Sequence, residues 1–479
     1  MATNYSNYVG GEWVAAESGD TFDTHDPAHP DQVVGTYPKS SAADTDAAVA
    51  AAVDASEEWG DTPGPERGRV LSRASALLAE RKDDITELLV REEGKTRAEA
   101  GGEVQRAIDI FDYYGATARD LGGTVKSASA PNTTLRTKNE PLGVAGLITP
   151  WNYPIAIPAW KIAPALAAGN AAVIKPATLA PGCVHEIATA LEEAGLPDGV
   201  LNVVTGPGSE VGDRLASHPA VDAVSFTGST TVGSAVYDAA TEDGKRVQLE
   251  MGGKNPTVVS DSADVAEAAD IVSAGAFGVT GQACTACSRA IVYEDVYDEF
   301  VDAVAARAEA IDPDEGLADS DMGPHVSMDE LESTLEYVEV GQEEGATLET
   351  GGDALDRKGY FLQPAVFSDV ESDYRIAQEE IFGPVLSVIS VSDYEEALDV
   401  ANDVDYGLSA SIVTEDHSEA NRFVDDIDAG VVKINEKTTG VELHVPFGGM
   451  KASSSETYRE QGEAGLDFYT ISKTVYDNY

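Results

Sequence analysis

Residues 144–175 read VAGLITPWNYPIAIPAWKIAPALAAGNAAVIK. Val144–Ile148 is a short apolar run without alternation, as a strand buried on both faces requires. The apolar periodicity of Ile155–Ala168 predicts a helix, closed by Gly169, and Ala171–Ile174 is a second apolar strand. The pattern then continues: a helix over Pro181–Ala194 closed by Gly195, a strand at Leu201–Val204, a helix over Glu210–Ala216 and a strand at Ala223–Phe226. Strands separated by helices imply right-handed crossovers and a mostly parallel sheet, so the fold class is α/β. The alternation restarts at Asn255 with Thr257–Ser260 and runs past Val385–Val391 and Val431–Ile434, which predicts a second α/β domain. Upstream, Tyr8–Val14 carries a Gly-Gly hairpin signal. Helical periodicity begins after Ser41, with Val70, Ala74, Leu77, Leu78, Ile85, Leu88 and Leu89 on one face. A third helix bearing Val104, Ile108 and Phe111 stops near Gly122-Gly123, and Thr134–Lys138 reads as an exposed strand.

Acidic side chains number 85 against 31 basic ones in 479 residues, a formal charge of −54. Nucleic-acid binding needs a basic footprint, and this chain has none. An anionic membrane surface would repel it, and Leu142–Trp160, with three prolines, is a poor membrane span. The acids are scattered rather than blocked, as in Glu57-Glu58, Glu192-Glu193 and Asp425-Asp426. The 42% hydrophobic content argues against disorder. Three cysteines make no disulfide framework. The start of the chain lacks the basic and apolar regions of a secretory signal, so the expected location is the cytoplasm.

Several strand ends carry chemistry. Phe226–Gly233, FTGSTTVG, leaves a strand and enters a helix; free N–H groups and the positive dipole end there suit a pyrophosphate. GPGSEVG at 206–212 misses the G-x-G-x-x-G spacing and reads as structural. In Thr149–Pro154, TPWNYP, Asn152 offers an amide N–H to a developing oxyanion. Lys175 closes the next strand, where it could hold ribose hydroxyls or a phosphate. Glu250, in LEMGGKNP, stands at a strand end where a carboxylate can act as general base on water. In Phe277–Arg289, FGVTGQACTACSR, glycine-loosened polar surroundings suit Cys284 as a partly exposed thiol of lowered pKa, able to attack a carbonyl carbon. The alternative is a buried small hydrophobe, the usual fate of a free cysteine. Cys284 and Cys287 form a C-x-x-C pair, but no second pair or histidine cluster completes a zinc site.

Taken in order, TPWNYP, KPA, FTGSTTVG, LEMGGKNP, FGVTGQACTACSR, EEIFGPV (379–385) and PFGGMK (446–451) resemble the NAD(P)-dependent aldehyde dehydrogenase superfamily. The resemblance implies Cys284 as nucleophile, Glu250 as general base, and Asn152 with the Cys284 backbone N–H as oxyanion donors. It places Thr149, Trp151, Lys175, Thr178, Thr227, Gly228, Ser229, Gly233, Gly252, Glu380 and Phe382 around the cofactor, with no metal. It also implies three parts: a Rossmann-type cofactor domain (1–122 and 142–252), an α/β catalytic domain (253–450) and a β-strand oligomerisation arm (123–141 and 451–479). An arm edge of that kind needs a partner, so a homodimer or homotetramer is expected. NAD-preferring relatives often carry Glu where Thr178 stands, which points to NADP as the preferred cofactor, with NAD as the alternative.

Within the superfamily, GQACTACSR, TTGVELHVPFGGMKASS (438–454) and REQGEAGLDFYTISKTVY (459–476) are most like the α-ketoglutarate semialdehyde (2,5-dioxopentanoate) dehydrogenases. Succinate semialdehyde enzymes often place arginines where this chain has Trp160 or its neighbour, and Gly278. Succinate semialdehyde and betaine aldehyde stay open as substrates, and Lys437 is a candidate for gripping a substrate carboxylate. Cys287 is a candidate to trap Cys284 as a disulfide under oxidation. Two rivals are a CoA-acylating relative, which the water-activating Glu250 disfavours, and a non-catalytic relative, which the retained thiol and base disfavour.

The scattered negative charge strains a compact fold in dilute buffer. Screening at about 1 M salt, where the Debye length is about 3 Å, relieves it, as in a halophile's cytosol. The thermal midpoint is therefore expected to rise as KCl is raised to the molar range. Greatest stability in low-salt buffer would contradict this reading.

Overall fold

The computed structural model describes residues 2–318, 320–455 and 457–479. Five parallel strands form the heart of the first sheet, in the order Arg246–Glu250, Ala223–Thr227, Val144–Ile148, Ala171–Lys175, Leu201–Val203. The hairpin Asn7–Val9/Glu12–Val14 extends its far edge in antiparallel fashion. Chain order reverses between Val144–Ile148 and Ala223–Thr227. Open α/β sheets bind ligands at such a switch point, beyond the carboxyl ends of the strands. Thr149–Asn152 and Gly228–Ser229 are the residues that leave those two ends.

Four helices, not three, precede this sheet: Ala42–Asp61, Gly64–Glu80, Lys82–Glu93 and Arg97–Thr117. The periodic run 70–89 is broken at Arg81, which leaves helical geometry between two apolar faces that both pack on the core. Ser41 and Thr96 begin the first and last of these helices with capping boxes to Asp44 and Glu99, which satisfy otherwise unpaired N–H groups. The expected helix at 210–216 is a wider turn over Gly208–Gly212 that runs into Asp213–Ser217.

The second sheet is ordered Thr347–Thr350, Ala365–Ser368, Val385–Val391, Cys287–Tyr293, Asn255–Val259, Ser409–Val413, Val431–Ile434, parallel except for its first strand. The chain crosses from one sheet to the other in four residues, Met251–Lys254. The carboxyl edge of the first sheet therefore faces the amino edge of the second, where Cys287–Tyr293 begins. Arg289, buried on that strand, fastens the crossing. Its Nε and Nη2 donate to the Lys254 carbonyl at 3.0 and 2.8 Å, and its Nη1 and Nη2 to the carbonyls of Val400 and Ala401 at 2.9 and 3.0 Å.

A third sheet, Thr470–Asn478, Thr133–Pro141, Val125–Ser127, is antiparallel, with Pro141 opposite Thr470 and Thr133 opposite Asn478. Val125, Ile471 and Tyr476 stand exposed on it. Among the described residues no helix is long and apolar enough to cross a membrane.

Candidate active site

The loop before Cys284 has an unusual backbone. Val279, Thr280 and Gly281 are consecutive left-handed residues with φ of 52°, 57° and 66°. Two of them carry branched side chains, for which this region costs about 1–2 kcal/mol per residue, so surrounding contacts must hold the loop. Val279 N–H donates to Glu99 Oε1 at 2.6 Å, Thr280 Oγ1 to the Gly323 carbonyl at 3.0 Å, and Val326 N–H to Gln282 Oε1 at 3.0 Å. A Cβ at Gly281 would lie 2.3 Å from the Gly383 oxygen, so this position needs glycine for space as well as for φ.

Beyond the loop, Asn255 Nδ2 donates to the carbonyls of Cys284 and Ala286, both at 2.8 Å, while its Oδ1 accepts from Ser409 N–H at 2.9 Å. A Cβ at Gly253 would lie 2.5 Å from the Cys284 oxygen. Asn152 approaches from the first sheet, and its Nδ2 donates to the Gln282 carbonyl at 3.0 Å. The amide carries a second hydrogen that this bond does not use.

The Cys284 thiol is pushed up to about 12, by burial first and then by the carboxylates of Glu380, Glu250 and Glu460. This corrects the expectation of a lowered pKa: the charged groups that bear most on the thiol are acids. Glu250 is also raised well above the carboxylate range, by burial and by Glu460, while Lys161, Arg459 and the Gly449 N–H pull it down. Its oxygens accept from Gly449 N–H at 3.2 Å, at the end of the PFGG turn, and from Ser454 Oγ at 3.3 Å, five residues further on. Lys161 and Glu460 form a buried ion pair next to it.

A cavity of about 210 Å³ opens at the switch point, lined by Pro150, Trp151, Asn152, Thr227, Gly228, Ser229, Met251, Gly252, Cys284, Glu330, Glu380 and Phe382. Of the eleven expected cofactor residues, seven line it, Trp151, Thr227, Gly228, Ser229, Gly252, Glu380 and Phe382, while Thr149, Lys175, Thr178 and Gly233 lie outside it. Thr149 N–H bonds to the Lys175 carbonyl at 3.2 Å, and a Cβ at Gly233 would lie 2.5 Å from Met251 Sδ, so these two shape the walls. Lys175 is buried and pushed down to about 8 by desolvation alone, beside Gly212 of the 206–212 loop. Thr178 is half-buried on the segment that follows. Ser229 caps the helix Thr230–Thr241, whose N-terminus opens on the cleft.

The fit to a dinucleotide is supported by buried polar atoms without partners, the hydroxyls of Thr149 and Thr227, together with that helix N-terminus and the unpaired Lys175. Glu380 accepts from Gly253 N–H at 2.9 Å and is pushed up to about 7, mainly by burial. Trp151 meets Phe382 edge to face at 5.4 Å. No group of metal-ligating side chains occurs among the described residues. Lys437 is exposed. The Cys287 thiol lies 3.2 Å from Thr257 Oγ1 and donates to the Arg289 carbonyl, so a disulfide to Cys284 would have to break these contacts. Glu330, Met251 and Asn255 went unnoticed in the sequence. Asn255 lies within a quoted motif, but Glu330 is one more acid in an acid-rich helix.

Residues 13–475 match the profile of the Aldehyde dehydrogenase family, and the chain belongs to that family. It is 65% identical, over 100% of both chains, to the α-ketoglutarate semialdehyde dehydrogenase of Haloferax volcanii. It is 48% identical to the α-ketoglutaric semialdehyde dehydrogenase of Bacillus subtilis, over 98% of each. Among solved structures, the NAD-dependent aldehyde dehydrogenase of Sinorhizobium meliloti superposes with a TM-score of 0.97 at 36% identity, covering 99% of this chain and 95% of that one.

The raised Cys284 pKa yields a signed prediction. In Glu250→Gln one of the charges opposing the thiolate is gone, so iodoacetamide should alkylate Cys284 faster than in the parent at pH 9. Slower alkylation would mean that Glu250 is the base that deprotonates the thiol.

Proposed function

We propose that this enzyme oxidises 2,5-dioxopentanoate to 2-oxoglutarate through a thioester on Cys284. The 65% identity to the Haloferax volcanii enzyme, end to end, carries the substrate reading. In this reading the Cys284 thiolate adds to the aldehyde carbon, and the oxyanion is met by the free Asn152 amide hydrogen and the Cys284 N–H. When bound, a nicotinamide would accept the hydride that the tetrahedral carbon loses in becoming the thioester. Trp151, Phe382 and Glu380 would hold the cofactor in the cleft, and the N–H groups that open the helix after Ser229 would bind its pyrophosphate. Glu250 then removes a proton from water, which attacks the thioester carbonyl. The thiolate leaves and the carboxylic acid forms. Because burial and Glu460 raise Glu250, its base form grows in as pH rises above the carboxylate range, and hydrolysis should rise with it.

Solved relatives include one in complex with NAD+ and one in complex with NAP. Thr178 places no carboxylate against a 2′-phosphate, which favours NADP here, with NAD as the alternative. The exposed Val125, Ile471 and Tyr476 favour burial of the third sheet against a second copy, as a homodimer or homotetramer. The charge of −54 suits a cytosol of high salt. Succinate semialdehyde and betaine aldehyde are the competing substrates, and a CoA acceptor would leave Glu250 without a task.

The test is a panel of 2,5-dioxopentanoate, succinate semialdehyde, glycolaldehyde and betaine aldehyde in molar KCl, with each cofactor, with and without CoA. The highest kcat/KM is expected for 2,5-dioxopentanoate with NADP and without CoA. Glu250→Gln should keep a rapid first turnover of reduced cofactor and slow the steady state by about 100-fold or more, as loss of a general base does. Another preferred aldehyde would overturn the substrate reading, and unaltered turnover in Glu250→Gln would remove Glu250 from its role.

A further inference from the structure

Three buried ionisable side chains, Glu93, Lys95 and Glu103, take no part in the steps above. Lys95 Nζ donates to Glu103 Oε2 and to the Asn152 carbonyl, both at 2.7 Å, and stands 4.4 Å over the Tyr153 ring. Glu103 Oε1 accepts from the N–H groups of Ile155 and Ala156 at 3.0 and 3.1 Å, where the helix Ala156–Ala168 begins. Glu93 Oε2 accepts from the Lys95 N–H at 3.0 Å and stands 3.7 Å from its Nζ, and burial pushes the Glu93 carboxyl up to about 8. One turn before Glu103, Glu99 divides its carboxylate. Oε2 accepts from the N–H and hydroxyl of Thr96, both at 2.9 Å, and Oε1 takes the N–H of Val279 in the cysteine loop.

These bonds close a circuit. Lys95 holds the Asn152 carbonyl, Asn152 Nδ2 holds the Gln282 carbonyl, and Gln282 N–H bonds to the Val279 carbonyl at 2.9 Å. Val279 N–H returns to Glu99, whose cap on Thr96 adjoins Lys95. The circuit joins the two polypeptide segments that supply the oxyanion donors: Asn152 from the first sheet and the loop of Cys284 from the second. Replacing a buried ion pair by packed apolar side chains is often neutral or stabilising, so stability alone is a weak reason for one here. Positioning is a stronger one, because misplacement by about 1 Å can cost about 100-fold in rate.

We propose that Lys95, Glu99 and Glu103 are positioning residues that register the Asn152 amide against the Cys284 N–H as a single oxyanion hole. The inference rests on reading those two groups as the oxyanion donors. Glu99 is the end that can be tested with least harm to the core, since it is only half-buried in the first helical turn, and Gln there keeps an oxygen that can accept from Val279.

The experiment is the burst of p-nitrophenolate from p-nitrophenyl acetate, which requires neither cofactor nor the aldehyde assignment. Rates are taken per titrated active site, beside cofactor affinity and melting temperature. Glu99→Ala is expected to slow the burst by about 10- to 100-fold with cofactor affinity unchanged, and Glu99→Gln to recover most of it. Lys95→Met should match Glu99→Ala; if it fails to fold, the Glu99 pair decides. A burst at the parent rate in Glu99→Ala, or equal slowing in Glu99→Ala and Glu99→Gln, overturns the proposal. Asn152→Ala separates the two readings: an unaltered burst there defeats the oxyanion assignment itself.

Discussion

The four-residue crossing Met251–Lys254 constrains everything around it. It carries the chain from the carboxyl edge of one sheet to the amino edge of the other, with Glu250 on one side and Asn255 on the other. Space at its centre is tight: a Cβ on Gly252 would lie 2.2 Å from the Glu380 carboxylate and displace it, and one on Gly253 would meet the Cys284 carbonyl at 2.5 Å. The close approach that glycine allows lets Gly253 N–H reach Glu380 at 2.9 Å, and lets Asn255 tie down the cysteine's own peptide. Base, nucleophile and cleft wall are thus gathered within a few residues of one turn.

The loop of Cys284 is held in a backbone conformation it would not choose. Its left-handed residues persist because Glu99, the 323–326 segment and Asn255 bind it from three separate parts of the fold. The nucleophile is therefore placed by the tertiary fold and not by local preference. Its electrostatics follow from the same crowding: Glu250, Glu380 and Glu460 are brought near a thiol that burial already disfavours as an anion.

Much of this was legible in the amino-acid order. The strand–helix alternation gave the parallel sheets, because short apolar strands and glycine-closed helices are local signals. The quoted motifs contain Asn152, Glu250 and Cys284. The split at Arg81 was hidden because apolar spacing continues across it. The thiol's pKa was misread because glycines and glutamine next to Cys284 say nothing of carboxylates 34 to 176 residues away in the chain. Glu99 and Lys95 were invisible for the same reason: in a chain with 85 acids, a single carboxylate gains meaning only from what it touches.

The proposed chemistry depends on a covalent bond to one sulfur. Glu250→Gln enzyme, mixed with 2,5-dioxopentanoate and NADP and quenched in acid within the first turnover, should carry the acyl group on the peptide containing Cys284, as read by peptide mass mapping. An acyl-free Cys284 while reduced cofactor has already formed would contradict the account.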